Sequence, residues 1–289
     1  MPQPTFATDI NHKLAPEART WLAKQSESSG KSIDAILCDL IEEHENLQNS
    51  VPLSMEQLGR YYRDGYLLVS GLVPEDVSAR AERAMWHCIG CDPQNPPLSW
   101  DNAPGDLRLY NNADLKNCFT PNVISAAAQL TGDHASTFSK SDTHPKSRYT
   151  ATYLEAEAAK EDLNRFYRWD CAYTINILPG SGDQGNQPHI DHSMEEHHHQ
   201  TFPPVFRLGV LIFLNNSGPS SGGTRVWPRS HRILSELARK SPKRYEWRKN
   251  IMTEISTLDL GEPMNLSLSR GDVLFLHHLI AHAGSYNDS

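Results

Sequence analysis

The chain has 289 residues and a formal net charge of −8 at pH 7, with five cysteines. This length suits one large domain with an appendage, and the acidic balance disfavours nucleic acid or an anionic membrane as the main partner. There is no apolar run long enough to cross a bilayer, and the start, Met1-Pro2-Gln3-Pro4, lacks the basic and apolar regions of a signal peptide. Cysteines without a regular framework predict reduced thiols in a cytoplasmic protein. The lone CxxC at 88–91 is interpreted as incidental.

Residues 1–50 differ in pattern from the rest. Residues 15–28 predict a helix that Gly30 ends, and 32–48 predict a second helix with its apolar residues on one face. With 9–14 as a preceding strand, this order resembles small ribbon-helix-helix repressors. The segment holds four Lys or Arg against eight Asp or Glu, a net of −4, which disfavours phosphate contact. We therefore interpret it as a helical extension that packs on the rest of the chain or on a partner chain, with self-association through these helices.

From residue 54 onward the pattern is helix, strand and helix, followed by a long polar stretch at 91–115. A stretch of this length without periodicity is either a loop that covers a site or a disordered segment. Trp100, Arg108 and Tyr110 are candidate substrate contacts within it, although surface or packing roles fit them equally. Residues 122–130 and 152–166 predict helices.

An alternating apolar run at 173–178, broken by Pro179 and Gly180, predicts a strand and a turn that lead to His189-Ile190-Asp191. In an extended segment, residues two apart point to the same face, so this imidazole and this carboxylate can reach one ion. Taken alone, the tripeptide fits a polar surface turn equally well. His192 and the run 197–199 form a further histidine cluster that can bind nickel or zinc adventitiously, and we interpret it as a loop at the mouth of the site.

Three more segments complete the pattern. Residues 205–214 predict a strand buried on both faces, 234–249 predict a helical insertion because they carry charge and little strand propensity, and 271–276 predict a strand that leads to His282. A strand arriving from far along the chain can deliver a third ligand. Two histidines and one carboxylate leave three positions of an octahedral metal open, as in non-haem Fe(II) oxygenases. The sequence thus predicts a catalytic metal site of His189, Asp191 and His282.

Four blocks in order resemble the phytanoyl-CoA dioxygenase family of Fe(II)- and 2-oxoglutarate-dependent oxygenases. They are 62–69 with 72–76, the His189/Asp191 pair, the Gly-Gly-Thr…Pro-Arg-Ser-His block at 222–231, and Gly271-Asp272-Val273-Leu274-Phe275 running to His282-Ala283-Gly284 and on to Ser289. The resemblance covers residues 54–289. It implies a mainly β domain with flanking helices around a double-stranded β-helix, a cupin-like jelly roll that holds the metal between two sheets.

The resemblance also implies the chemistry. His189, Asp191 and His282 would hold Fe(II), with 2-oxoglutarate and O2 as cosubstrates and Thr174, Asn176, Thr224 and Arg270 as candidate cosubstrate-binding residues. A C–H bond of a small molecule would be hydroxylated or desaturated, with release of succinate and CO2. Related halogenases carry a small residue in place of the carboxylate, so Asp191 favours hydroxylation or desaturation.

The pattern departs from the family at its end. There, an Arg a short distance beyond the distal His binds the far carboxylate of 2-oxoglutarate, and this sequence stops at Ser289 before that position. We expect a truncated sequence; alternatively, Arg207, Arg225 or Arg270 takes that role.

Two other classes stay open at this point. A zinc or nickel cupin-like enzyme uses the same ligand types without 2-oxoglutarate. A non-catalytic binding or regulatory protein on the same barrel is the other. The identity of the substrate is not written in the sequence.

Overall fold

The computed structural model describes residues 16–39, 53–92, 94, 106–107, 112–131, 174–180, 187–191, 200–202, 204 and 207–288. The chain divides into two compact units, Met1–Val51 and Pro52–Ser289. Several predicted features lie outside the described residues: the helix at 152–166, the candidates Trp100, Arg108 and Tyr110, and the histidines at 192 and 197–199.

The first unit contains two helices in its described part. Helix α1 spans Pro16–Ser29, and helix α2 is described over 33–39. Gly30 follows α1 with a φ of 69°, a conformation that ends helices well because glycine has no Cβ to clash. Among the residues described in this unit, Leu22 of α1 and Ile36 of α2 are the buried apolar ones. Self-association through these helices stays a prediction.

Helices form much of the second unit. They are α3 (Met55–Asp64), α4 (Glu75–Ile89), α5 (Ala113–Asn117), α6 (Pro121–Thr131), α7 (Ser230–Lys240) and α8 (Arg248–Met252), with a 3-10 turn at Ile255–Thr257. Helix α3 begins with a capping box, in which the Ser54 and Gln57 side chains each accept from the other's backbone N–H. The insertion predicted over 234–249 contains two helices. Helix α7 begins before the predicted range, at Ser230, and a turn separates it from α8.

The strands are short and antiparallel. They are β1 (Tyr66–Val69), β2 (Asp106–Leu107), β3 (Thr174–Ile175), β4 (Leu208–Ile212), β5 (Thr224–Val226), β6 (Met264–Asn265), β7 (Val273–His277) and β8 (His282–Gly284). They form the sheets β1-β7-β4, β2-β3 and β6-β5-β8. From β4 to β8 the chain changes three times between the first and third of these sheets, from β4 to β5, from β6 to β7 and from β7 to β8, as two-sheet jelly rolls require.

Strand β7 is the centre of the first sheet and is buried on both faces. Phe275 pairs with Leu67 on one side and Val210 on the other, and it packs in a core with residues of α3, α4 and α6. Leu274 and Leu276 point the other way, into a second core with Val226 of β5. Helices α3, α4 and α6 therefore cover one face of this sheet. The sheet β6-β5-β8 contributes to the core on the other face.

The expectation of a mainly β protein is not confirmed. In the described part of the chain, helices hold more residues than strands do. The reason is that each strand has only two to five residues, so the apolar outer face of the first sheet is buried by helices and not by further strands.

The backbone is closely packed at Gly271, at the entry to β7. Its φ is 81°, and an added Cβ would lie 2.4 Å from the Val73 carbonyl oxygen. Gly261 has a φ of 77° with nothing within 4 Å. We expect Gly261→Ala to lower the free energy of unfolding only by the roughly 1–3 kcal/mol that a positive φ costs a side-chain-bearing residue, and Gly271→Ala to lower it further. Chemical denaturation of both variants measures this, and equal losses would contradict the close approach.

Candidate metal centre

The residues of the predicted triad are brought together by backbone pairing. The His189 amide donates to the His282 carbonyl and the His282 amide donates to the His189 carbonyl, each at 2.9 Å. This is a hydrogen-bonded antiparallel pair, so the two side chains lie side by side, with ring centroids 4.3 Å apart. Asp191, two residues on, presents its Oδ1 3.4 Å from the Nε2 of His282.

The donor set fits a divalent transition metal. One ligand atom from each of His189, Asp191 and His282 lies within 4.8 Å of the other two. Imidazole nitrogens and carboxylate oxygens bind such ions at about 2.0–2.2 Å, so neighbouring ligands on one ion are roughly 3 Å apart. The His282–Asp191 separation already has that size. A small movement of the His189 side chain would bring its ligand atom to a similar distance from the other two.

His282 is held in one orientation. Its Nδ1 lies 3.1 Å from the Ile280 carbonyl oxygen, and the residue is 7% exposed. A carbonyl only accepts, so Nδ1 carries a proton, and when the ring is neutral its lone pair is on Nε2, the atom that faces Asp191. This hydrogen bond fixes both the tautomer and the ring plane of a metal ligand.

The electrostatics of the pair favour its charged forms. Burial pushes the pKa of Asp191 upward, but the hydrogen bond from His282 and the charges of His282, His189 and Arg248 outweigh it and lower this pKa to about 2. Burial pushes the pKa of His282 downward, yet its hydrogen bond and ion pair with Asp191 raise it. The Asp191 side chain is also 45% exposed to solvent. The carboxylate is therefore ionised at neutral pH and can bind a cation.

Two residues beside the triad were not predicted from sequence. A Cβ on Gly209 of β4 would meet the Asp191 Oδ2 at 3.5 Å, so the strand passes the carboxylate without placing a side chain against it. Arg248, the first residue of α8, is fully buried and donates to the His278 carbonyl. Nothing in the local sequence marks it, since it stands in a charged stretch predicted only as a helical insertion.

The candidate cosubstrate residues are placed in different ways. Thr174 is in β3 opposite Leu107, and Asn176 follows that strand. Thr224 of β5 is buried and pairs with Gly284, two residues from His282.

Arg270 is committed to another part of the molecule. Its guanidinium forms ion pairs with Glu75 and Glu82 of α4, and its Nε donates to the Leu214 carbonyl at 2.9 Å. It therefore ties the start of β7 to α4, which disfavours the role in cosubstrate binding expected from the sequence. The other two arginines considered also have protein partners, Arg207 at the Thr131 carbonyl and Arg225 at the Asn265 side chain.

The final block of the sequence supports the segment that enters the site. The Asn287 side chain donates to the Ile177 carbonyl, and the Asn287 carbonyl accepts from the Gly180 amide, both at 2.7 Å. The Ile177 side chain fits against Gly222 and Gly284, where any Cβ would lie within 2.8 Å of it. Residues 174–180 are thereby fixed along the edge of the sheet β6-β5-β8.

Two clefts of the described residues lie elsewhere. One of about 410 Å³ is lined by the α7 residues Arg232, Ser235, Glu236, Arg239 and Lys240 with His231 and His277, and one of about 490 Å³ lies between α4 and α5. Neither is lined by a residue of the triad.

A donor set of two histidines and one carboxylate on adjacent backbone segments defines a non-haem metal site with open positions. Residues 61–289 match the sequence model of the family described as phytanoyl-CoA dioxygenase (PhyH), and the chain belongs to that family. It is accordingly an oxidoreductase, an iron- and 2-oxoglutarate-dependent oxygenase that uses O2. Comparison with curated proteins gives no significant match.

Several solved structures resemble the chain at low identity. EctD from S. alaskensis in its apo form is 16% identical over 83% of this chain and 74% of its own, with a TM-score of 0.47. SnoK, a non-heme alpha-ketoglutarate-dependent carbocyclase from nogalamycin biosynthesis, is 14% identical over 84% and 81%, with a TM-score of 0.47. HygX from Streptomyces hygroscopicus, with nickel, 2-oxoglutarate and hygromycin B bound, is 13% identical over 82% and 83%, with a TM-score of 0.41. The family assignment rests on the sequence match and not on these structures.

A row of histidines near the site predicts a pH dependence of stability. The rings of His231 and His277 are 4.9 Å apart and those of His277 and His278 are 4.3 Å apart. Burial, then neighbouring positive charge, lowers the pKa of His277 to about 4 and that of His278 to about 2. The unfolded chain binds protons below about pH 6.5, whereas these folded histidines do not, so acid favours the unfolded state.

We therefore expect the free energy of unfolding to fall by up to about 1.4 kcal/mol per pH unit for each of these two histidines between about pH 6 and 4. A His277→Gln/His278→Gln double variant should show a shallower decline than the wild type. Urea denaturation at a series of pH values measures this, with exposed His87→Gln as the control. Parallel curves for all three proteins would contradict the assignment.

Proposed function

We propose that the protein hydroxylates, or desaturates, a C–H bond of a small-molecule substrate while 2-oxoglutarate and O2 are converted to succinate and CO2. In hydroxylation, one oxygen atom of O2 enters the new C–OH group and the other enters succinate. The observation that carries this proposal is the convergence of His189, Asp191 and His282 within 4.8 Å. The family match over residues 61–289 supports it.

The three residues would hold Fe(II) through two imidazoles and one carboxylate, which leaves half of an octahedral ion for cosubstrates. Iron bound there would supply the activation of O2, for which side chains alone have no chemistry. The role of the chain is to place the ligands and the substrate. His282 is oriented by the Ile280 carbonyl, and the reciprocal backbone pair fixes it beside His189. Ionised Asp191 would complete the set, where related halogenases have a small residue, which supports hydroxylation or desaturation.

The surroundings support a chemistry that must exclude water. Leu276, whose Cβ lies close to Gly209 beside Asp191, belongs to the apolar core between the sheets. Below the tripeptide, Ile190 is 1% exposed and packs with Trp227 and Ile251. Apolar packing on both sides lowers the access of solvent to His282, which is 7% exposed, and strengthens its electrostatic interactions.

Further features of the proposal follow from the sequence. Residues 54–289 would form the catalytic domain and 1–50 an extension, and Thr174, Asn176 and Thr224 would hydrogen-bond the cosubstrate. The thiols of Cys38, Cys88, Cys91 and Cys118 are free, which suits a reducing compartment such as the cytoplasm. No helix in the described ranges is both long and apolar enough to span a bilayer.

Metal affinity tests the triad directly. We expect His189→Ala and His282→Ala each to weaken binding of Ni(II) or Co(II) by at least about a hundredfold, since even loss of a group that only orients a ligand costs 10–100-fold. Calorimetric titration of the metal-free protein measures this. His87→Ala, which removes an exposed histidine of α4, should bind like the wild type. Equal affinity in all three variants would exclude the triad as the metal site.

Anaerobic titration with Fe(II) and 2-oxoglutarate tests the cosubstrate. We expect a weak visible charge-transfer band that Asp191→Ala abolishes, followed by iron-dependent formation of succinate when air is admitted. A protein that binds metal but gives neither band nor succinate would be a cupin-like enzyme of another kind or a non-catalytic binding protein.

A further inference from the structure

The peptide unit between His189 and Ile190 is held by hydrogen bonds at both of its polar ends. Its carbonyl, from His189, accepts from the His282 amide at 2.9 Å. Its N–H, from Ile190, donates to the Met252 Sδ at 3.1 Å. Because the peptide bond is planar and trans, the C=O and the N–H point in opposite directions within one rigid plane. The two bonds therefore fix the orientation of this plane from opposite sides.

The Ile190 amide needs an acceptor at this place. Ile190 is 1% exposed, and its neighbour His189 pairs with His282 as an isolated bridge. In an antiparallel pair, the residue next to a hydrogen-bonded one points its backbone groups away from the partner segment. The Ile190 N–H thus points away from β8, and a buried amide without an acceptor is costly. The Met252 sulfur supplies the bond that the carbonyl of a further strand would supply in a wider sheet.

Met252 is well placed to accept this bond. It is the last residue of α8, and its partly buried side chain packs against the core that contains Ile190, Ile251 and Trp227. Methionine is unbranched and flexible, and its thioether sulfur is a weak hydrogen-bond acceptor. The side chain can therefore fill the core with its apolar part while the sulfur meets the amide. Helix α8 is joined to the tripeptide by packing and by one directed bond.

The orientation of this peptide plane determines where two metal ligands point. Tilting the plane changes ψ of His189 and φ of Ile190, the two backbone angles on either side of it. His189 and Asp191 share one face only while these angles are those of an extended chain. The ligand atoms of the triad lie within 4.8 Å of one another in this arrangement. A tilt would therefore move the imidazole of His189 relative to the carboxylate of Asp191.

We propose that Met252 is a positioning residue of the metal centre, and that it keeps His189 and Asp191 directed at one ion through the Ile190 amide. The inference rests on the proposed function for the metal that these ligands would hold. Met252 acts through the backbone and not as a metal ligand, because its sulfur faces the amide.

Three variants separate the hydrogen bond from packing. Met252→Leu removes the acceptor and nearly conserves the volume, an exchange that cores tolerate well. Met252→Gln has a similar length and returns an acceptor, the side-chain amide oxygen. Met85→Leu is the matched control, because it makes the same exchange at a methionine of α4 that is 8% exposed.

Amide hydrogen exchange of the metal-free full chain, followed by NMR, measures the bond itself. The readout is the exchange rate of the Ile190 amide divided by that of Phe275, which lies in the buried central strand β7. A general loss of stability speeds both amides and leaves this ratio unchanged. We expect Met252→Leu to raise the ratio about fivefold or more, the factor that corresponds to one typical hydrogen bond. Met252→Gln and Met85→Leu should keep the ratio of the wild type.

Calorimetric titration with Ni(II) measures the effect on the metal centre. We expect Met252→Leu to weaken binding about tenfold, at the lower end of the 10–100-fold that loss of a ligand-orienting group costs. Met252→Gln should restore most of the affinity, and Met85→Leu should bind like the wild type. Equal weakening in Met252→Leu and Met252→Gln would assign the effect to packing and overturn the positioning role of the sulfur.

The two measurements distinguish this inference from the proposed function. A wild type that binds no Ni(II) overturns the proposed function. A wild type that binds Ni(II), together with a Met252→Leu variant whose exchange ratio and affinity are unchanged, overturns the positioning role alone. Circular dichroism identifies a variant that does not fold. The wild type then decides, because an Ile190 amide that exchanges as fast as in an unfolded chain overturns the hydrogen bond.

Discussion

The reciprocal backbone hydrogen bonds between His189 and His282 are the constraint on which the site depends. They join a short extended segment to β8, and β8 is fixed in turn by its pairing with β5. Side-chain orientation then follows from backbone geometry, because an antiparallel pair places its two rings side by side and the residue two positions on shares their face. Little side-chain entropy remains to be lost when an ion binds, which is the physical meaning of a preorganised site.

Polar and apolar groups around this pair have different roles. The Ile280 carbonyl fixes the ring of His282, and Ile190 anchors the tripeptide in the core below. Helix α8 supplies both the apolar support and the buried guanidinium of Arg248. One helix thus sets the position of the ligands and the electrostatic potential around them, so a change in its packing acts on both at once.

The sequence predicted the triad because its signals are local: a His-x-Asp in an extended segment and a Gly-Asp strand that ends near a histidine. It did not predict the partners of the arginines. Arg270 stands beside a core strand and is a candidate cosubstrate ligand in the sequence, whereas its partners Glu75 and Glu82 are almost two hundred residues away. Arg248 carries no signal in the sequence, because its burial depends on the tertiary packing of an insertion. The helical content exceeds the expectation for the same reason, since helices far apart in the chain cover a sheet of short strands.

The turn between β7 and β8 carries a consequence for assembly of the protein. Strand β7 pairs with β1, about two hundred residues earlier, and five residues later β8 pairs with the segment that holds His189. Such distant contacts form slowly because long loops must close before any contact stabilises them. The three ligands meet only when the segment that carries β7 and β8 has docked, so an incompletely folded chain lacks the assembled triad. Binding of iron then stabilises the folded state, because the ion binds the assembled site and not the unfolded chain.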